Sequence, residues 1–250
     1  MAGLDSSITP SLQLRIGRLL FALAVIGSGI YQLVTARYVN LVPMPPGQLP
    51  ATWKAYLFGV LLVLIGGAFL IRRTIPAAAI MLAALLLVVL IGFGLPLALS
   101  RASTGFVWVG PLMTLTLLGG VCLTIDRVAE KAMRIVPLVL GAFLAYCGAL
   151  HFVYTESVAN LIPPWIPAHR FWTYFAAVAL IAGGIGVVIP RTARIAATLS
   201  GIMLFSWVFL VHIPLAINTH TVSEVSRGLH ALADSAVAFM LAGMLRGHES

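Results

Sequence analysis

All six histidines fall in the second part of the chain: His151, His169, His212, His220 and His230, with His248 in the tail. Glu156, Glu224, Arg227 and Asp234 stand among them. Imidazole can hydrogen-bond a carbonyl, relay a proton or bind a metal. Arg227, His230 and Asp234 are spaced i, i+3, i+7, which places all three on one face of a helix. His230 and Asp234 would then form an i, i+4 pair with Arg227 above it, and an ion pair closing the helix end is the structural alternative. Asp234 is the one carboxylate embedded in an apolar run. Such a group costs about 2.5–3.5 kcal/mol on insertion scales, so it should face the bundle and have a partner.

Three chemistries suit these residue types. In a quinone-type site, His151 and His212 bond the head group, aromatics stack on it, and Asp234 or Glu224 handles protons. A metal ion could take two or more of His151, His212, His220 and Glu224, although no tight ligand motif such as HExxH is present. A haem could sit between His151 and His212 on two helices of one bundle. Taken singly, each histidine is more often a buried hydrogen-bonded residue than a ligand, and it is the cluster that points to a site.

The elements that must position these groups are membrane spans. Of the 250 residues, 61% are hydrophobic and 9% charged, and the mean hydropathy of +1.07 excludes a soluble domain. The net charge of +8 does not indicate nucleic acid, because the basic residues stand singly or in pairs between apolar runs, as topology signals do. A span needs about 20 apolar residues. Eight candidates follow, near 18–36, 55–71, 75–98, 105–125, 135–153, 171–189, 195–217 and 229–245. No barrel alternation is present, so each is expected to be an α-helix. The first apolar run exceeds a signal-peptide core and is expected to be retained. Cys122 and Cys147 lie in apolar runs without a CxxC and read as small buried residues.

Arg15, Arg18, Arg72, Arg73, Arg127, Lys131, Arg134, Arg191, Arg194 and Arg246 collect on one side, against Arg37, Lys54, Arg101, Arg170 and Arg227 on the other. Ten against five predicts both termini in the cytoplasm. The chain also repeats itself. YVNLVP matches VANLIP, WKAY matches FWTY, Arg73-Thr74 matches Arg191-Thr192 and Pro96 matches Pro214, at an offset near 118–120 residues. This predicts an all-α membrane protein of two tandem four-helix units, residues 1–123 and 135–250, joined by a cytoplasmic linker at 124–134. His151 then stands opposite Gln32, and His212 opposite Gly94. The histidines of the second unit share the outer side, with Glu156 and Glu224 as outer-loop acids and Asp234 about one turn into the last helix. Pro163, Pro164 and Pro167 forbid a continuous helix between the second unit's first two spans. Tyr154, Trp165, Trp172 and Tyr174 suit interfacial anchoring.

The block GALHFVYTESVANLIPPWIPAHRFWTYF, with the later PRT and VHIP, resembles the DoxX-like family of small membrane proteins. Its units carry Gly-x-x-His-Phe near the end of the first helix, a Pro-x-Trp/Tyr-x-Pro loop, a glycine-rich second helix and Pro-Arg-Thr before the third. Arg227 to His230 resembles the family's Arg-x-x-Gln/His at the start of its last helix. The resemblance implies a bacterial inner-membrane protein tied to terminal-oxidase, quinone or oxidative-stress systems. Many relatives carry a glutamate before the glycine pair of the second helix, where this chain has Leu180; proton handling would then fall to Asp234 or Glu224. The expectation is a redox-associated membrane subunit with a quinol or small-molecule site near the outer face of the second unit. His151 and His212 would be its primary contacts, with His169, Glu156, Trp172, Glu224, Arg227, His230 and Asp234 lining or supporting it. The alternatives are a non-catalytic scaffold serving a periplasmic or membrane protein partner, and a lipid or small-molecule binder or transporter.

Overall fold

In a bilayer the backbone must satisfy its own hydrogen bonds, and long apolar runs do so as helices. The computed structural model describes residues 11–37 and 52–245, and among these it is helical without a strand. Among the described residues seven helices are long and apolar enough to cross a membrane. They are α1 (Leu12–Thr35), α2 (Thr52–Phe69), α3 (Ile75–Ser100), α4 (Gly105–Thr124), α5 (Asp126–Val153), α6 (His169–Val188) and α7 (Ala193–Thr219). The chain is a multi-pass membrane protein. A final long helix, α8, spans Val222–Met244. It carries Glu224, Arg227, His230 and Asp234 and is too polar to meet the same measure of hydropathy. Its neighbours explain how it sits there. α1 and α7 pack along α8 and α4 leans on it, so Glu224, His230, Asp234 and Ser235 are all buried.

Two expected boundaries move. α8 begins at Val222 rather than near 229, because Thr221 is extended (φ −95°, ψ 139°) and the helix runs unbroken from the next residue. Glu224 is therefore in the first helical turn and not in an outer loop. Asp234 lies twelve residues into α8, about 18 Å along its axis, and not one turn in. Most of the expected linker is also helical: from Asp126 onward it forms the first turns of α5.

The bundle closes across the chain. α1 lies along α2 and α8, while α5 lies along α6 and α4. The first and last helices meet tightly at the α1 start, where Ser11 Oγ accepts from Leu14 N at 3.3 Å and donates to the Gly243 carbonyl at 2.9 Å. Close helix contact in a membrane depends on small residues at the crossings. A Cβ on Gly17 would stand 2.7 Å from the backbone nitrogen of Met240.

Details recur at a spacing of 118 residues. Thr74 Oγ1 donates to the Ala68 carbonyl at 2.6 Å, and Thr192 Oγ1 donates to the Gly186 carbonyl at 2.8 Å. A widened π turn occupies Leu90–Gly94 in α3 and Val208–His212 in α7. Each lies just before a proline, Pro96 or Pro214, whose ring and missing N–H disturb an ordinary helical turn. Leu95 N–H then reaches the Leu90 carbonyl, and Ile213 N–H reaches that of Val208. In the second case the turn ends on His212.

Candidate functional site

His212 stands about two turns before the end of α7, on the last residue of its π turn. It faces α8 at Gly228, where an added Cβ would lie 3.1 Å from the His212 Cβ. The glycine thus lets the imidazole approach the helix. One turn away on α8, Glu224 places Oε2 3.9 Å from His212 Nδ1. This is an ion-pair distance when the ring is charged, and too long for a direct hydrogen bond. The other oxygen, Oε1, accepts from Arg227 Nη1 across an i, i+3 step. Glu224 is buried, with 8% of its side chain exposed, whereas Arg227 is 48% exposed and reaches it from the rim.

α5 supplies the facing wall. Cys147 lies within electrostatic range of Asp234, which is only 3% exposed. One turn further along α5, His151 Nδ1 is 2.7 Å from the Cys147 carbonyl. A carbonyl only accepts, so Nδ1 carries the proton, and a neutral ring leaves Nε2 as an acceptor. The Trp207 ring of α7 stacks on His151, with centroids 6.3 Å apart and planes 28° from parallel. His212 is also within electrostatic range of Arg227 and His230. α5, α7 and α8 therefore bring His151, His212, Glu224, Arg227, His230 and Asp234 into one region of the bundle.

The polar accounting there is incomplete. Glu224 Oε2, His212 Nδ1 and Asp234 Oδ1 are buried without a hydrogen-bond partner. Leaving such atoms unpaired costs about 1–3 kcal/mol each, more when charged, and few native groups are left so. Gln32, which stands opposite His151 in the sequence repeat, is likewise buried, with Oε1 unpartnered.

Other expected site residues lie elsewhere. Glu156 pairs with Arg170 at 2.9 Å, with side chains 65% and 71% exposed. His169 opens α6 beside a shallow depression formed by Pro164, Ile166, Pro167 and Arg170. Trp172 packs edge-on against Phe171 and Phe175 on an exposed aromatic face. His220 is exposed and caps α7 in the left-handed region, φ 51°. It does not join His151, His212 and Glu224. Among the described residues no group of three or more His, Cys, Asp or Glu side chains could hold a metal ion. Two members of the region carried no chemical reading in the sequence. Cys147 sits one helical turn before His151, a spacing that would have revealed it. Trp207 is seen only once α7 is laid against α5.

Residues 140–242 match a family model described as a domain of unknown function (DUF8561). The match runs from α5 to α8 and includes every residue of the cluster. No curated protein and no solved structure matches the chain.

Proposed function

We propose that the protein is a redox-associated subunit of the bacterial inner membrane, built from two DoxX-like units, that holds a quinol or similar small molecule at His151, His212, Glu224 and Asp234. The observation that supports this most is the set of buried atoms on Glu224, His212 and Asp234 that have no hydrogen-bond partner. A purely structural ion pair would saturate its members, because an unpaired polar atom in a membrane interior is expensive. A site that takes a polar head group keeps such atoms available. Trp207 over His151 adds a flat surface for a ring. The excess of Lys and Arg on one side favours cytoplasmic termini, and that orientation puts His151 and His212 toward the outer face. Arg227 and the part-exposed His212 and His151 form the rim of approach.

The test is ligand content. Protein purified in mild detergent is extracted and its bound organic molecules are identified by mass spectrometry, beside a His151→Ala/His212→Ala variant. A stoichiometric ring-bearing lipid lost in the variant is the expected result; an identical extract from both proteins would remove the site. A scaffold role is the second reading. It draws on the exposed aromatic face of Trp165, Phe171, Trp172, Tyr174 and Phe175, which equally suits a membrane-interface belt. It predicts that a partner co-purifies with the wild type and is lost on changing Phe171 and Trp172 but not the histidines.

A further inference from the structure

We infer that His212 and Glu224 form a pH-dependent latch: a proton on the imidazole draws it onto the carboxylate and fastens the terminal piece of α7 to α8. The inference concerns the join between these two helices and holds whatever the proposed site binds.

The moving part is marked in the backbone. The π turn Val208–His212 divides α7 into a long helix and a short terminal piece, Ile213–Thr219. A π turn interrupts the regular hydrogen-bond ladder, and Pro214 has no N–H to brace the join. The terminal piece is therefore hinged at His212. Across the joint stands Gly228 of α8, where a Cβ would come within 3.1 Å of the His212 Cβ. With no side chain there, the imidazole has room to shift along α8.

The two halves of the latch stand just out of reach. Glu224 accepts from Arg227 through Oε1. Its Oε2 is buried without a hydrogen-bond partner and lies 3.9 Å from His212 Nδ1. A charge-assisted N–H···O bond spans about 2.7–2.9 Å, so the gap is about 1 Å too wide. In a neutral ring Nδ1 donates or accepts according to tautomer, whereas in the imidazolium both nitrogens donate. Protonation thus makes the donor certain and adds a charge attraction, and a small swing of the hinged piece closes the gap. The side chains of His212 and Glu224 are 17% and 8% exposed, so salt and water screen the pair weakly.

The π turn packs on α8 and on both parts of α7. From α8, Glu224, Arg227 and His230 act on His212. From α5, His151 stacks on Trp207, the residue before the π turn. The other ionisable groups of α7 and its cap, Arg194 and His220, stand at its two ends. Arg227 and His230 repel an imidazolium and Glu224 attracts it. The carboxylate has one oxygen for each cation, Oε1 for Arg227 and Oε2 for His212, so closing the latch does not break the existing pair. The first unit has the hinge without the latch: its π turn ends on Gly94, and Phe106 stands 118 residues before Glu224.

The test is hydrogen–deuterium exchange with mass spectrometry on the full chain in mild detergent, from about pH 8 to about pH 5, the range in which histidine changes charge. Rates are corrected for intrinsic exchange at each pH. Protection of Ile213–Thr219 should rise about ten-fold at acid pH, the size of one hydrogen bond to a charged group. The matching piece of α3, Leu95–Ser100, should stay level. His212→Gln and Glu224→Gln should each abolish the rise, and His220→Gln, at the exposed end, should keep it. If Glu224→Gln folds poorly, the wild type and the two histidine variants decide the matter. Level or falling protection in the wild type, a rise that survives His212→Gln, or an equal rise in α3 would overturn the latch.

Discussion

Asp234→Asn separates a binding site from a structural ion pair. The side chain is 3% exposed, about 18 Å into α8 by helical rise, with Oδ1 unpartnered. If Asp234 were holding the bundle together through a buried charge pair, removing its charge would leave the other member uncompensated and cost about 3–5 kcal/mol. The incomplete hydrogen bonding argues for the opposite sign. An unpaired buried polar atom carries a penalty of about 1–3 kcal/mol, and asparagine keeps the shape while removing the charge. The variant should therefore be unchanged or more stable by up to about 3 kcal/mol. With about 2–4 °C per kcal/mol for a chain of this size, the melting temperature should hold or rise by several degrees. Ligand retention should fall at the same time. Intrinsic tryptophan fluorescence during a thermal ramp in detergent, with ligand extraction on the same preparation, reads both. A melting temperature lower by more than about 6 °C would refute the reasoning and return Asp234 to a structural role.

Neighbouring glycines of α2 offer a test of the packing. A Cβ on Gly66 would lie 2.6 Å from Ile26 Cγ1 and 2.8 Å from its backbone nitrogen, whereas nothing stands within 4 Å of one on Gly67. Gly66→Ala should cost about 1–3 kcal/mol through overpacking and Gly67→Ala should cost nothing or gain up to about 1 kcal/mol, both read from thermal melts; equal effects would contradict the α1–α2 crossing. Thr74→Val and Thr192→Val remove the same side-chain bond in two places, so each should lower stability by a similar amount, about 0.5–1.5 kcal/mol. A large difference between them would show that the two turns are not energetically equivalent. Ser11→Ala removes both the α1 cap and the tie to the Gly243 carbonyl and should cost about 1 kcal/mol, visible as faster amide exchange at the start of α1.

Fold class was legible without coordinates, because hydropathy is local: about 20 apolar residues in a row dictate a helix wherever the chain later goes. The seven spanning helices follow from that rule, and so does the expectation that Asp234, isolated among apolar residues, turns inward. Tertiary structure decided what local sequence does not encode. The expected start of α8 falls too late because Glu224 looks like a loop residue; it is helical because α1, α4 and α7 shield that helix. Which polar groups meet depended on how far each lies around and along its helix. His151, His212, Glu224 and Asp234 gather where α5, α7 and α8 converge, while Glu156 and Trp172 share their neighbourhood in sequence and point outward to the surface. A histidine's type is written in the chain, but the lone pair it presents is set by the carbonyl that claims its other nitrogen.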